Sequence, residues 1–274
     1  MQAKADSGAV EIGGAPGGEI GGAPMQSLAG DPDRAPRVQE MFDRLAPRYD
    51  LANRVLSLGL DQWWRRQALD ALKDKARGEV LDLCAGTLDL TAALVAGGAS
   101  YVHAVDFAEA MLAQGRSKLP PGAPVRVVAA DARELPLEDR SVDGVICGFG
   151  LRNVPEVHRA VAECARVLRP GGRLVVLDFF QPVGPASRML QLSYNRLVVP
   201  TVGGLVTGFR DAYSYLAGSI DAFMTRPDFE ALVAELGFTA RGREMFPPVA
   251  SLVVGIRQES TVVRVEGEPG GGTP

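Results

Sequence analysis

The stretch "EVLDLCAGTLDLTAALVAGG" (residues 79–98) decides the fold class. It opens as a short apolar strand, "EVLDLCA". It turns at Gly86 and continues as a helix, "LDLTAALVAGG", stopped by Gly97 and Gly98. The same rhythm then repeats. "SYVHAVDF" is a second strand, followed by the helix "AEAMLAQGRSKL". "PVRVVAAD" and "SVDGVICGF" are a third and a fourth strand, "VPEVHRAVAECARVLRPGG" a helix with a Pro-Gly stop, and "RLVVLDFF" a fifth strand. Strand–helix alternation of this kind predicts an α/β fold, a parallel sheet with helices on both faces.

The turn between the first strand and helix also bears on the ligand. The usual nucleotide-binding version of this turn carries glycine at three alternating positions, and here those places hold Cys84, Gly86 and Leu88. Gly86 still lets backbone approach a ligand closely. The two missing glycines weigh against a pyrophosphate seated on the helix N-terminus, and hence against NAD.

The acidic residues follow the strand ends. Asp82 sits in the first strand beside the turn. Asp106, with Phe107 next to it, ends the second strand and is placed to accept hydrogen bonds from a ribose. Asp131 and Ala132 follow the third strand, where an adenine edge is met. A run of carboxylates suits a cationic nucleoside without phosphates, and S-adenosylmethionine has that chemistry. The bland readings are a structural glycine at position 86 and a helix-capping Asp106.

The chain has 274 residues and a net charge of −4, which argues against a grip on nucleic-acid phosphates. Its length suits one large domain with extensions. Cys84, Cys147 and Cys164 fall in apolar patterns and read as reduced, buried thiols of a cytoplasmic protein. His103 and His158 stand in no metal-ligand spacing, so no metal is expected. His103 reads as structural and His158 as a surface residue. No signal peptide and no spanning helix are expected.

Residues 1–34, with "EIGGAP" twice, and residues 259–274 are too poor in large apolar groups to order themselves and read as disordered tails. The folded unit is expected over 35–258. Within it, 35–77 form N-terminal helices: Val38, Met41, Phe42 and Leu45 share a face, Pro47 breaks the first helix, and Asp61 caps the next. Residues 185–222 read as helical, with breaks at Pro200 and Gly203–Gly204. "RPDFEALVAELGF" is an amphipathic helix striped by Phe229, Leu232, Val233 and Leu236. "TARGREMF" and "SLVVGIRQ" read as two closing strands.

At "FGLRNV" (149–154) the sequence becomes specific. Together with "MFDRLAPRYDLANRVLSLGLDQWWRR", "VLDLCAGTLDLT", "LRPGGRLVVLDF" and "YSYLAGSI", it resembles the ubiquinone/menaquinone biosynthesis C-methyltransferases of the UbiE/MenG type, from about Val38 to Arg257. In the N-terminal segment Phe42, Tyr49, Asp50, Asn53, Ser57, Gly59 and Trp64 are in register. The resemblance implies a class I S-adenosylmethionine-dependent methyltransferase: a Rossmann-like seven-stranded sheet whose last strand is antiparallel, N-terminal helices and a helical lid over 185–222. It implies methyl transfer to a ring carbon of a polyprenylated hydroquinone, demethylmenaquinol or the corresponding benzoquinol. Carried over, Thr87 contacts the cofactor, Asp106 binds its ribose, and Asp131 with Ala132 meets its adenine. Leu88 stands where the family has a glycine, and Gly148 where it usually has a cofactor-contacting serine.

C-methylation needs an electron-rich ring carbon, which a hydroquinone supplies as a hydroxyl loses its proton. Arg152 could stabilise the phenolate, and Asp178, at the end of the fifth strand, could take the proton. Asn153, Tyr194, Tyr213 and Tyr215 are further candidates to relay the proton or stack on the ring. The open alternatives are that Arg152 braces its loop through a salt bridge, and that Asp178 caps a helix or stands behind the site. A prenylated acceptor implies peripheral contact at the inner face of the membrane, with the apolar stretch 188–208 covering the tail or packed on the sheet. A homodimer is also expected. Two rival functions remain: a methyltransferase for another small acceptor, and a catalytically silent cofactor-binding scaffold.

Overall fold

The computed structural model describes residues 35–185, 188–189 and 210–259. The expected tails, apart from Glu259, and most of the expected lid, including Tyr194 and residues 190–209, lie outside the described residues. Helices α1 (Ala35–Leu56) and α2 (Leu60–Leu72) come first, and a 3-10 turn (Lys73–Arg77) leads into the sheet. Then follow β1 (Glu79–Leu83), α3 (Asp89–Ala96), β2 (Tyr101–Asp106), α4 (Glu109–Gly115), β3 (Val125–Ala129), β4 (Val142–Gly148), α5 (Val157–Val167) and β5 (Leu168–Asp178). The chain closes with α6 (Arg210–Ala222), α7 (Arg226–Glu235), β6 (Phe238–Glu244) and β7 (Ser251–Arg257).

The seven strands form one sheet in the order β3-β2-β1-β4-β5-β7-β6. β1 to β5 are mutually parallel, and β7 runs antiparallel between β5 and β6. The last strand is therefore the antiparallel one, as expected. Strand alternation splits the core into two layers. Leu81, Leu83, Val145, Leu174 and Val176 pack with α5 and α7. Val80, Ile146, Val175 and Leu177 pack with α2 and α3 through Trp64, Leu72, Leu90 and Leu94. Phe229 and Val233 of the α7 stripe are fully buried, and Thr225 caps that helix by accepting from the Asp228 amide.

Three local expectations are corrected. Pro47 does not break the first helix, which runs through it to Leu56. An interior proline costs a helix about 3 kcal/mol, but α1 is pinned on both sides of it. The Phe42 and Tyr49 rings meet edge-on at 6.1 Å across the proline, and Ala46 packs against Ala108 and Met111. Gly59, in the left-handed conformation, caps α2 in place of Asp61. "RPGG" does not stop α5, because the chain is already in β5 at Leu168. Val142 faces Leu168 but Gly144 faces Arg173, so these residues bulge out of the strand.

Candidate cofactor and acceptor site

β1 has β2 on one side and β4 on the other, so strand order reverses between β1 and β4. Ligands of such sheets bind at the carboxyl ends beside that reversal. Cys84–Leu88, Asp106, Asp131, Gly148 and Asp178 all follow or end strands there.

The turn after β1 is held by charge. Asp106 is buried, and its two carboxylate oxygens accept from the amides of Gly86 (2.9 Å) and Ala108 (2.8 Å). Burial raises its pKa to about 6 against the pull of those amides. Asp82 is fully buried; its Oδ2 accepts from the Thr91 hydroxyl at 2.6 Å, while its Oδ1 has no hydrogen-bond partner. Desolvation raises its pKa to about 7, with Thr91 pulling the other way. Thr87 is buried and donates its hydroxyl to Asp50 of α1 at 2.5 Å. That bond ties the turn to the N-terminal helix.

Leu88 adopts the left-handed conformation, with φ of 61°. Its side chain points into the core with Ala85, Ala104 and Leu112, away from the ligand side of the turn. Gly115 leaves room for it: a Cβ there would lie 2.7 Å from the Leu88 Cγ. The strain of a left-handed leucine is about 1–2 kcal/mol, whereas deleting a buried leucine side chain costs about 2–5 kcal/mol. Burial wins, so Leu88→Gly is expected to destabilise the protein by about 2 kcal/mol. Denaturant unfolding checks this, and a more stable variant would show that strain dominates. Gly148 has a matching explanation, since a Cβ there would lie 2.8 Å from Leu90 Cδ1. Leu90 occupies the space that a larger residue would need.

A trough runs along these strand ends. Its outer part, about 420 Å³, is bordered by Asp106, Phe107, Asp131, Ala132 and Asn153. The middle, about 390 Å³, is bordered by Gly86, Phe107, Gly148, Phe149 and Asn153. The inner end, about 310 Å³, is bordered by Tyr49, Arg65, Asp82, Thr87 and Gly148. Asp131 is half exposed and paired with Arg133 at 2.7 Å, which lowers its pKa. All eight expected cofactor residues therefore stand along one trough. Cys84 departs from expectation. It lies in the turn, has φ of 55°, is only partly buried and borders the whole length of the trough. Its hydrogen bond to Cys147, with burial, holds its pKa well above the usual thiol range. Cys147 and Cys164 are buried free thiols as expected. His103 is buried with Nε2 2.8 Å from Glu79, and His158 is exposed.

Beside the trough lies an apolar cavity of about 930 Å³, counting its opening to solvent. α1 and α2 wall it with Met41, Leu45, Leu56 and Trp64, and α6 adds Tyr215 and Ile220. Tyr49 and Phe149 border both the cavity and the trough. Arg152 faces the cavity although its side chain is only 7% exposed. Its Nη1 donates to Asp178 Oδ1 at 2.9 Å and to the Phe149 carbonyl, and its amide donates to Asp178 Oδ2 at 3.2 Å. Its guanidinium lies 5.5 Å from the centre of the Phe179 ring, and its Nε has no partner. Asp178 is fully buried, also accepts from the Phe179 amide, and borders none of these cavities. It stands behind Arg152 and not on the wall of the cavity, placed to position the guanidinium. Asn153 borders the trough with its Oδ1 unpaired. Tyr213 lies in α6, but its side chain is outside the described residues.

Tyr49, Asn53 and Ser57, known from the sequence only as family-register positions, and Arg65, which no motif marked, also wall the cavity. Tyr49, Asn53 and Leu56 carried a signal, since they recur at helical spacing on one face of α1.

Comparisons with known proteins match this geometry. The model of the ubiE/COQ5 methyltransferase family matches residues 31–253. The demethylmenaquinone methyltransferase of Thermus thermophilus is 44% identical over 220 residues, covering 79% of this chain and all of that one. The UbiE ubiquinone/menaquinone biosynthesis C-methyltransferase of Syntrophotalea carbinolica is 39% identical over 223 residues, covering 80% of this chain and 94% of that one. Among solved structures, an S-adenosylmethionine-dependent methyltransferase from Mesorhizobium loti superposes with a TM-score of 0.54 at 22% identity, covering 73% of this chain and all of that one. That likeness concerns the fold.

Proposed function

The chain belongs to the ubiE/COQ5 methyltransferase family, and from that premise we propose that it methylates a ring carbon of a polyprenylated hydroquinone, with S-adenosylmethionine as donor. The observation that carries this reading is the shared wall. A trough suited to a cationic nucleoside and an apolar cavity suited to a prenylated ring meet at Tyr49 and Phe149, with a buried cation in the cavity.

The trough fits the cofactor on its own chemistry. The buried, unpaired Asp82 Oδ1 is an acceptor awaiting a cationic donor. Gly86, with φ of 52°, bares its backbone to the trough. Asp106 would hold the ribose, and Asp131 with Ala132 the adenine end. Bound there, S-adenosylmethionine supplies an electrophilic methyl group.

The protein has to align the ring carbon with that methyl group and keep water out; such orientation supplies much of a transfer's rate. Arg152 stabilises the phenolate oxygen, whose charge drives electron density onto the ring carbon. Asp178 holds Arg152 in place. Asn153, beside it, orients the ring from the trough side. The phenolic proton leaves to water or to a nearby tyrosine; once the ring carbon carries the methyl group, its own proton passes to water as aromaticity returns and the phenolate is reprotonated, so one proton is released overall.

The acceptor's tail implies peripheral contact with the inner face of the membrane. Among the described residues, no helix is long and apolar enough to cross one.

The reading is tested by methyl transfer from labelled S-adenosylmethionine to short-tail demethylnaphthoquinol and its benzoquinol counterpart, each with the oxidised quinone as control. Label in a reduced acceptor alone is the expected result. Cofactor binding without label in either ring would point to another acceptor or a silent scaffold.

A pH dependence follows from the two raised carboxylates. Both pKa values lie above the unfolded value of 3.8, at about 7 for Asp82 and about 6 for Asp106. Their contribution to folding stability is therefore full below 3.8 and lost as pH rises through about 6 and about 7. A cationic ligand favours the ionised form, so cofactor affinity is expected to move the other way. It should rise severalfold between about pH 5.5 and pH 8. Calorimetric titrations across that range check this, and a flat profile would separate the two carboxylates from binding.

A further inference from the structure

The apolar cavity contains a second ion pair that the proposed mechanism does not use. Asp61, in the first turn of α2, is 7% exposed and borders the cavity together with Ser57 and Arg65. Its Oδ1 accepts from the Ser57 hydroxyl at 2.7 Å and its Oδ2 from Arg65. An ionised carboxylate has about four acceptor sites, and these bonds occupy two of them. Arg65 lies 5.5 Å from the centre of the Phe149 ring, just as Arg152 lies over Phe179, and the two rings are 4.8 Å apart. The cavity thus carries two aspartate–arginine pairs, one on each ring of a phenylalanine pair tilted by 32°. They differ in what they present. At the first, Asp178 is sealed behind and the arginine faces the cavity; at the second, the carboxylate itself borders the cavity.

A pocket for an isoprenoid tail alone has no use for a carboxylate on its wall, because a tail leaves the two remaining acceptor sites of Asp61 unfilled. A hydroquinone head has two hydroxyls on opposite ring carbons. One becomes the phenolate and suits the cation. The other keeps its proton and suits an acceptor. We propose that Asp61, positioned by Ser57 and Arg65, accepts a hydrogen bond from the second hydroxyl of the acceptor and thereby selects the hydroquinone over its oxidised quinone. This inference rests on the quinol reading above. A quinone carbonyl cannot donate, and it meets the carboxylate lone pair to lone pair. The selection has a purpose. Only the reduced ring is nucleophilic, so bound quinone would block the site without reacting.

The test measures binding of short-tail demethylnaphthoquinol and its quinone to the full chain, under anaerobic conditions and with S-adenosylhomocysteine present to prevent turnover. The wild-type protein is expected to favour the quinol by about tenfold, the value of one charge-assisted hydrogen bond. In Asp61→Asn the ratio should fall to near one, because the amide can also donate to the quinone carbonyl. A merely structural role for Asp61 would weaken both ligands equally and leave the ratio at its wild-type value, which would overturn the proposal. The two monomethyl ethers of the quinol supply an arm that needs no variant. The ether at the hydroxyl remote from the reacting carbon should bind the wild-type protein about tenfold more weakly than the quinol; binding of that ether as tight as the quinol's would overturn the proposal even if Asp61→Asn fails to fold. Methyl transfer to the quinol by the wild-type protein is scored separately. Its absence would fail the functional reading, whereas transfer with an unselective site would fail this inference alone.

Discussion

Asparagine at position 178 is expected to lower the unfolding free energy by about 3–5 kcal/mol and to remove most turnover, with cofactor affinity near its wild-type value. The reason lies in what Asp178 faces. It is fully buried and its bonds go to Arg152 and to the backbone beside it. Without its charge, the Arg152 guanidinium remains buried with no counter-ion, a state far more costly than never having had the pair. Turnover falls because Arg152 then shifts from the phenolate position. Denaturant unfolding and steady-state kinetics provide the two readouts, and a pH–rate profile separates positioning from proton removal. If Asp178 only holds Arg152, the residual activity of Asp178→Asn keeps the wild-type profile. If an acidic limb disappears while stability is unchanged, Asp178 is the base.

Alanine at position 106 is expected to weaken cofactor binding by about a hundredfold, since hydrogen bonds to a charged group are worth about 1.5–3 kcal/mol each. Asp106 acts twice. It would grip the ribose, and it pins the Gly86 and Ala108 amides that shape the trough. Asp106→Asn keeps one acceptor oxygen and should lose less. Titration calorimetry reads both variants, and native affinity in Asp106→Ala would strip the residue of its assignment.

The sheet was legible because each buried parallel strand is a short apolar run closed by glycine, proline or a charged residue. The acids that border the trough were legible in position for a related reason: a strand end in such a sheet is a fixed place. Other features needed three dimensions. Pro47 looks like a helix stop unless the ring contact of Phe42 with Tyr49 across it is known. "RPGG" looks like a helix stop unless the register of β5 against β4 is known. Whether Asp178 is a base or a supporting residue stayed open in the sequence because Arg152, its partner, is 26 residues away. The wall formed by Ser57, Asp61 and Arg65 depends on α1 and α2 lying against the strand ends, which no local pattern encodes.

The bond between Thr87 and Asp50 has a thermodynamic consequence. α1 meets the cofactor turn through Asp50, and through Tyr49 it borders both trough and cavity. A helix that borders two ligand sites and is pinned to one of them is a route for coupling between them. Linkage then requires reciprocity: the factor by which bound S-adenosylmethionine tightens the quinol equals the factor by which the quinol tightens S-adenosylmethionine. Asp50→Ala, which removes the Thr87 bond and the ion pair with Lys118 without touching the cavity wall, should bring that shared factor toward one from either direction.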